Sequence, residues 1–350
     1  MTQAVQAPAA PPQDERIARK SPLARLMGRP EIGALAGAVV IYIVFFALAE
    51  PFRTAPAVAT ILYASSTIGI PAVAVGLLMI GGEFDLSAGV AVTTSALVAS
   101  MVSYQMSANM WVGVVVSLLV ALAIGALNGY LVVKTRIHSF LVTLGTFFML
   151  AGLNLAVTRL VTGNVATQNV SDIDGFDSAN AVFASSFNVA GVTIRITVLW
   201  WLLFVAIATW VLLRTRVGNW IFAVGGSSPS ARAVGVPVTR VKIGLFMTVG
   251  FMAWFTGMHI LFAFDVVQSG LGVGNEFFYI IVAVVGGCLL TGGYGSAIGT
   301  AIGALIYGMT TQGIVYAGWN PDWFKFFFGA MLLGAVVLNT YVRQRAEAAK

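Results

Sequence analysis

Residues 79–90 read MIGGEFDLSAGV, and they set two carboxylates, Glu83 and Asp85, between two apolar runs. The nearest basic residues are Arg53 on one side and Lys134 on the other. Residues 57–80 and 86–104, on either side, are each about as long as a helix must be to cross a hydrocarbon core roughly 30 Å thick. The glycine pair Gly81–Gly82 interrupts them. The stretch is therefore a short link between two membrane spans.

The same pattern repeats along the chain. Of its 350 residues, 59% are hydrophobic and 9% are charged, against about 25% charged in an ordinary globular protein. Apolar blocks fall at about 32–49, 57–80, 86–104, 110–133, 138–158, 196–213, 243–264, 277–292, 296–316 and 326–342. They are apolar all round, with no polar face of the kind a soluble core helix carries. The expected fold class is all-α: a polytopic membrane helix bundle of about ten transmembrane helices. Gly69, Pro71 and the Gly81–Ser87 link allow a broken or re-entrant helix near 81–87.

Lys and Arg fix the orientation. With the N-terminus in the cytoplasm, fifteen of them fall on the cytoplasmic side and four, Arg53, Arg159, Arg195 and Lys325, on the other. Both termini are thus expected inside, and the formal charge of +6 is a topology signal that gives no support to nucleic-acid binding. Residues 1–30, with PAAPP at 8–12, read as a disordered cytoplasmic tail. Residues 31–345 read as one transmembrane domain. Two connections are long: an extracytoplasmic loop at 159–195 and a basic cytoplasmic loop at 214–242. Within the latter, SSPSARAVGV reads as a short helix with Ser228 as N-cap, Pro229 in the first turn and Gly235 closing it. A positive-inside anchor and a docking surface for another subunit both fit it.

No P-loop, HExxH, GxSxG or Cys/His ligand cluster is present, so neither catalysis, a metal site nor a cofactor is indicated. GYGSAIG at 293–299 lacks the preceding strand that a dinucleotide fingerprint needs. The single cysteine, Cys288, excludes an intramolecular disulfide. Small residues at Gly125/Gly129 and Gly295/Gly299/Gly303 allow close helix approach.

Polar residues inside spans point to a hydrophilic path or to interhelical hydrogen bonding. Thr143, Thr146 and Asn154 share one stripe of the fifth span, Asn128 lies on the fourth, and Thr311 with Gln312 on the ninth. Taken singly, each reads as interhelical glue; as a set, they read as a path. His259 reads as a packed core histidine and His138 as an interface residue. Asp85 reads as the cap of a helix beginning at Leu86, accepting from N–H groups near Ser87 and Ala88. Glu83, without such a local duty, is expected to line the cytoplasmic exit or to pair with a basic group. No Asp, Glu, Lys or Arg falls in the middle of an expected span. Proton-coupled carriers and ion channels usually require such charges, which leaves an ion- or proton-coupled secondary carrier as the weaker reading.

Four blocks in order carry a family resemblance. GGEFDLSAGV resembles the GG-x-DLS-x-G signature of the sugar-type ABC importer permeases, the ribose/xylose/galactose group. ALNGYLVVKTRIHSFLVTLGT at 126–146, GGSSPSARAVGV at 225–236 and GGCLLTGGYGSAIGTAIGALIYG at 286–308 are similar to its later blocks. Two departures are Glu83–Phe84 in place of a single residue before DLS, and Ser228–Pro229 in the coupling segment. The resemblance implies a permease subunit in a bacterial plasma membrane that moves a neutral monosaccharide or polyol. Its implied partners are cytoplasmic ABC ATPase subunits, an extracytoplasmic solute-binding protein and a second permease subunit, identical or a close paralogue. It also implies that Ser230, Ala231, Arg232, Gly235 and Val236 contact the ATPase. Permeases for branched-chain amino acids or nucleosides, which share the fold type, are the alternative within the class.

Overall fold

The computed structural model of the chain describes residues 30–348. The expected tail, with Arg16, Arg19, Lys20, Arg25 and Arg29, and the terminal Lys350 lie outside these residues. In chain order the helices are α1 (Pro30–Leu48), α2 (Ala55–Ile80), α3 (Ala88–Gln105), α4 (Met110–Thr135) and α5 (Ser139–Thr162). There follow α6 (Phe176–Phe183), a hairpin of β1 (Ser186–Val189) and β2 (Val192–Arg195), α7 (Ile196–Arg214), α8 (Arg216–Gly226) and α9 (Ser228–Ala233). The chain ends with α10 (Val238–Phe264), α11 (Asn275–Val285), α12 (Ala297–Tyr316) and α13 (Phe324–Ala348). Among the described residues, 7 helices are long and apolar enough to cross a membrane: α1, α2, α4, α5, α7, α10 and α12. The chain is a multi-pass, all-α bundle, and α3, α11 and α13 occupy the other three expected spans.

Helices α2 and α10 form its centre. In each, 78% of the spanning window is buried, against 17% for α1 and α5, which lie at the periphery. Close approach of α4 and α10 rests on glycine: a Cβ at Gly125 would meet the backbone of Phe246 and Met247, and one at Gly250 the backbone of Ala121. Without side chains there, two backbones gain the dispersion contacts that hold helices together in lipid. At the outer end, Phe183 stacks on Phe262 with ring centroids 5.6 Å apart and meets Trp254 edge-on at 5.7 Å.

One feature of the spans meets expectation and two depart from it. The link after α2 is a true break: Gly81 ends the helix, Gly82 turns it at φ +83°, and α3 starts at Ala88. The eighth span, expected at 277–292, is an 11-residue half-helix, α11, cut short where Gly286 caps it and Gly287 turns at φ +93°. Eleven residues rise only about 16 Å, so α11 alone cannot cross a bilayer. The long outer loop holds α6 and the hairpin, whose turn at Ala190–Gly191 places both residues at positive φ, as a two-residue type I′ turn demands.

Candidate functional site

The α2–α3 link leaves the helical ladder, so its N–H groups need partners from elsewhere. Helix α5 supplies them. Phe84 N–H donates to Ser139 Oγ and Leu86 N–H to Thr143 Oγ1, each at 3.0 Å. Asp85 Oδ1 accepts from the Ser87 N–H at 2.8 Å and the Ser87 hydroxyl at 2.6 Å. Helix α3 begins at Ala88 with Ser87 in the N-cap position, so Asp85 braces the turn just ahead of the helix and does not bond to Ala88. Ser87 Oγ in turn accepts from Asn128 Nδ2 at 3.0 Å, and Thr146 Oγ1 donates to Asn128 Oδ1 at 2.7 Å. Higher up, Thr94 Oγ1 donates to Asn154 Oδ1 at 2.9 Å, and Asn154 Nδ2 to Val90 O at 3.3 Å.

The structure thus brings Asn128, Thr143, Thr146 and Asn154 together around the start of α3. Asn128, Thr143 and Asn154 are buried, and Thr146 is half-buried. Their hydrogen bonds fasten α5 and α4 to the broken element. Thr311 and Gln312 stand apart, on α12, which packs on α1 and α2. Thr311 Oγ1 donates back to Tyr307 O at 2.8 Å. His259 is buried, with its ring nitrogens at the Tyr63 hydroxyl and Phe183 O.

Glu83 lines a cavity of about 730 Å³ on the cytoplasmic side. It forms an ion pair with Lys242, in the second turn of α10. Arg136, His138 and Arg232 line the same cavity, so one carboxylate faces three permanent cations. Phe277 and Ile280 of α11 close another wall.

Below the cavity, α9 spans Ser228–Ala233, with Pro229 in its first turn. Its N-cap is Ser227, whose hydroxyl accepts from Ser230 N–H at 3.3 Å, one residue before the Ser228 expected from the sequence. Ala231 is buried, holding the helix to the body. Ser230, Arg232 and Gly235 are exposed, Val236 is half-buried, and Gly235 sits at φ +85°. Helix α8, which precedes it, was not expected from the sequence.

Sequence reasoning also missed Glu276 and Thr93. Glu276 is buried in the first turn of α11, and both its carboxyl oxygens accept from Gly274 N–H at 3.1 Å. Thr93, a buried residue of α3, accepts from Gly272 N–H at 2.8 Å. Glu276 falls one residue before the span expected at 277–292, so it puts no charge in the middle of an expected span, yet its side chain is buried. The signal was GLGVG at 270–274, a glycine run able to bring a loop close to helix backbone. Among the described residues, no group of three or more His, Cys, Asp or Glu could hold a metal ion.

The galactose/methyl galactoside import permease of Escherichia coli K12 is 31% identical over 300 residues, 81% of this chain and 87% of the relative. The ribose import permease of the same strain is 29% identical over 308 residues, 87% of this chain and 92% of the relative. A probable ABC transporter permease of that strain is 31% identical over 340 residues, 97% of each. No solved structure matches the chain. Residues 57–336, from the second helix through every element of the site, match the family described as the permease component of branched-chain amino acid transport systems, and the chain belongs to that family.

Proposed function

We propose that this chain is the transmembrane permease subunit of an ATP-driven ABC importer for a neutral monosaccharide or polyol. Its similarity to galactose and ribose import permeases supports a sugar over a branched-chain amino acid. Hydrolysis belongs to separate cytoplasmic ATPase subunits, and an extracytoplasmic binding protein delivers the solute. A second copy or a close paralogue completes the pathway. Residues 31–345 form the permease domain, and the tail before them is cytoplasmic.

The observation that carries the reading is the placement of α9. It is held by buried Ala231 and presents Ser230, Arg232 and Gly235 outward. Arg232 and Ser228 also border the cavity that holds the Glu83–Lys242 pair. One short helix therefore meets an exposed face on one side and the cytoplasmic mouth on the other. A subunit docking on it would act on the mouth directly. Glu83 belongs to that mouth, while Asn128, Thr143, Thr146 and Asn154 shape the wall behind it.

Arg232→Glu tests this. In the complex co-expressed with its ATPase partner, solute-stimulated hydrolysis should be lost while membrane insertion and yield stay normal. Unchanged stimulation would return the loop to a topological anchor. A thermal-shift screen of the partner binding protein against sugars, polyols and branched-chain amino acids would identify the solute.

A further inference from the structure

Residues 265–274 descend from the outer end of α10 into the bilayer without forming a helix. At the top they pair with residues 165–170: Thr167 N–H donates to Val267 O at 3.0 Å and Ser269 N–H to Val165 O at 2.9 Å. Lower down, Gly272 N–H reaches Thr93 Oγ1. Thr93 lies about 8 Å along α3 from its start and about 18 Å from its outer end, at 1.5 Å per residue. The adjacent Thr94 bonds to Asn154, which lies about 22 Å along α5 from Ser139 at the same rise. Gly272 therefore stands near mid-bilayer, and α11 starts from that depth.

One face of this segment is uncovered. Leu271 is 44% exposed, Val273 51% and Phe277 56%. The carbonyl oxygens of Leu271 and Val273 accept no hydrogen bond from the described residues. Non-helical backbone at membrane depth persists only inside protein or against water, because hydrocarbon offers such carbonyls no donor. Lipid cannot cover this face. The face also leads somewhere: from Val273 it continues through Phe277 and Ile280, which line the cytoplasmic cavity holding Glu83 and Lys242.

We infer that the outward face of residues 268–277 lines a water-filled half-channel, and that the Leu271 and Val273 carbonyls receive solute hydroxyl groups there at mid-bilayer. The chemistry selects the class of solute. Both backbone groups are acceptors, the exposed Gln268 adds an amide, and buried Glu276 lies behind them. No Lys or Arg occurs in residues 265–285 or 86–105. A neutral molecule rich in O–H donors finds partners, whereas a carboxylate or phosphate meets no cation and has only the Gln268 amide N–H groups to set against the acceptors. Phe277 offers a ring face to the apolar side of a sugar. The identity of the solute rests on the importer reading; the presence of water does not.

The test uses the complete transporter in liposomes with Cys288→Ala, which removes this chain's one native thiol, and modification is read on this chain alone. Cysteines are placed singly at Leu271 and Val273, with Ile43 on α1, 59% exposed, as the lipid-facing control. A charged methanethiosulfonate reagent should modify both segment positions at least tenfold faster than position 43. Hydroxyl-radical footprinting of the unsubstituted complex, which needs no variant to fold, should mark Leu271, Val273 and Phe277. Absence of both signals overturns the half-channel. Rapid disulfide cross-linking between two copies at position 273, without reagent labelling, overturns it in favour of a contact between copies. Labelling with no sugar taken up overturns the importer reading instead and leaves the half-channel standing.

Discussion

Removing the charge of Glu83 should destabilise the protein more than removing that of Lys242, and removing both should cost less than the two losses added together. The pair joins the α2–α3 link to the start of α10. At contact distance two unit charges attract by about 4 kcal/mol at an effective dielectric of 20. The Lys242 side chain is 17% exposed and that of Glu83 10%, so water screens only part of this. The pair falls between an exposed bridge, worth about 0–1 kcal/mol, and a fully buried one, where stripping a partner costs about 3–5 kcal/mol. About 2 kcal/mol for Lys242→Met follows.

The cavity makes the two losses unequal. Arg136 and Arg232 line it beside Lys242. When Lys242 is neutralised, Glu83 still has cations near it. When Glu83 becomes Gln, three cations face one another unopposed, and the cost should approach 3 kcal/mol, the lower end for a broken buried pair. The double variant, with neither the attraction nor an orphaned partner, should lose only about 2 kcal/mol, for a coupling of about 3 kcal/mol, the upper end of the ~0.5–3 kcal/mol seen between contacting residues. Unfolding by SDS in mixed micelles, followed by tryptophan fluorescence, measures all three. A coupling below about 0.5 kcal/mol, the error of additivity, would show that the pair does not fasten the link. Equal single losses would refute the role given to the other two arginines.

Asn154→Leu removes the two bonds that tie α5 to α3 here but leaves the Thr94 hydroxyl donating to the Val90 carbonyl, and should cost about 0.5–1.5 kcal/mol in the same unfolding assay. Uptake per folded molecule should stay intact. Gly125→Leu drives a side chain into the Phe246–Met247 backbone and should reduce the monodisperse fraction in size-exclusion chromatography several-fold. Gly235→Val forces a β-branched residue to φ +85°, a conformation that costs about 1–3 kcal/mol. It should lower solute-stimulated ATP hydrolysis while leaving membrane insertion unchanged. The chain purified without its ATPase should show no ATP turnover in a phosphate-release assay.

The spans were legible because each apolar run is long and most end at a charge, glycine or proline. Residues 57–80 and 86–104 were read within two residues of α2 and α3. The break in the eighth span was not legible, for two physical reasons. The apolar character of FFYIIVAVVGGCLL runs straight past Gly286–Gly287, so hydropathy carries no mark of the helix end there. GLGVG, just before it, has the composition of an outer loop, and only the Thr93 hydroxyl on a distant helix shows that it dips inward. The stripe of Thr143, Thr146 and Asn154 was legible as a stripe, since spacing alone defines a helix face. Its direction was not. The groups that meet it, Leu86 N–H, Asn128 and Thr94, come from other elements, and residue type cannot distinguish a hydroxyl facing water from one facing backbone.

The glycine pairs acquire a common meaning only in three dimensions. Gly81–Gly82, Gly225–Gly226 and Gly292–Gly293 lie in separate parts of the sequence, each at a join between helices. They meet on the cytoplasmic side. Gly293 N–H donates to Ile80 O at 2.8 Å. A Cβ on Gly82 would lie 3.3 Å from the Gly225 Cα, and one on Gly292 2.7 Å from the Gly82 Cα. The three joins therefore touch backbone to backbone, with no flexible side chain between them to absorb a displacement, and packing at this density transmits strain. Gly225–Gly226 leads directly into α9. A force applied to α9 from the cytoplasm reaches, through this contact, the link that carries Glu83 and the loop between α11 and α12. The link itself lines the cytoplasmic cavity together with Ser228 and Arg232 of α9, so the displacement acts on the mouth.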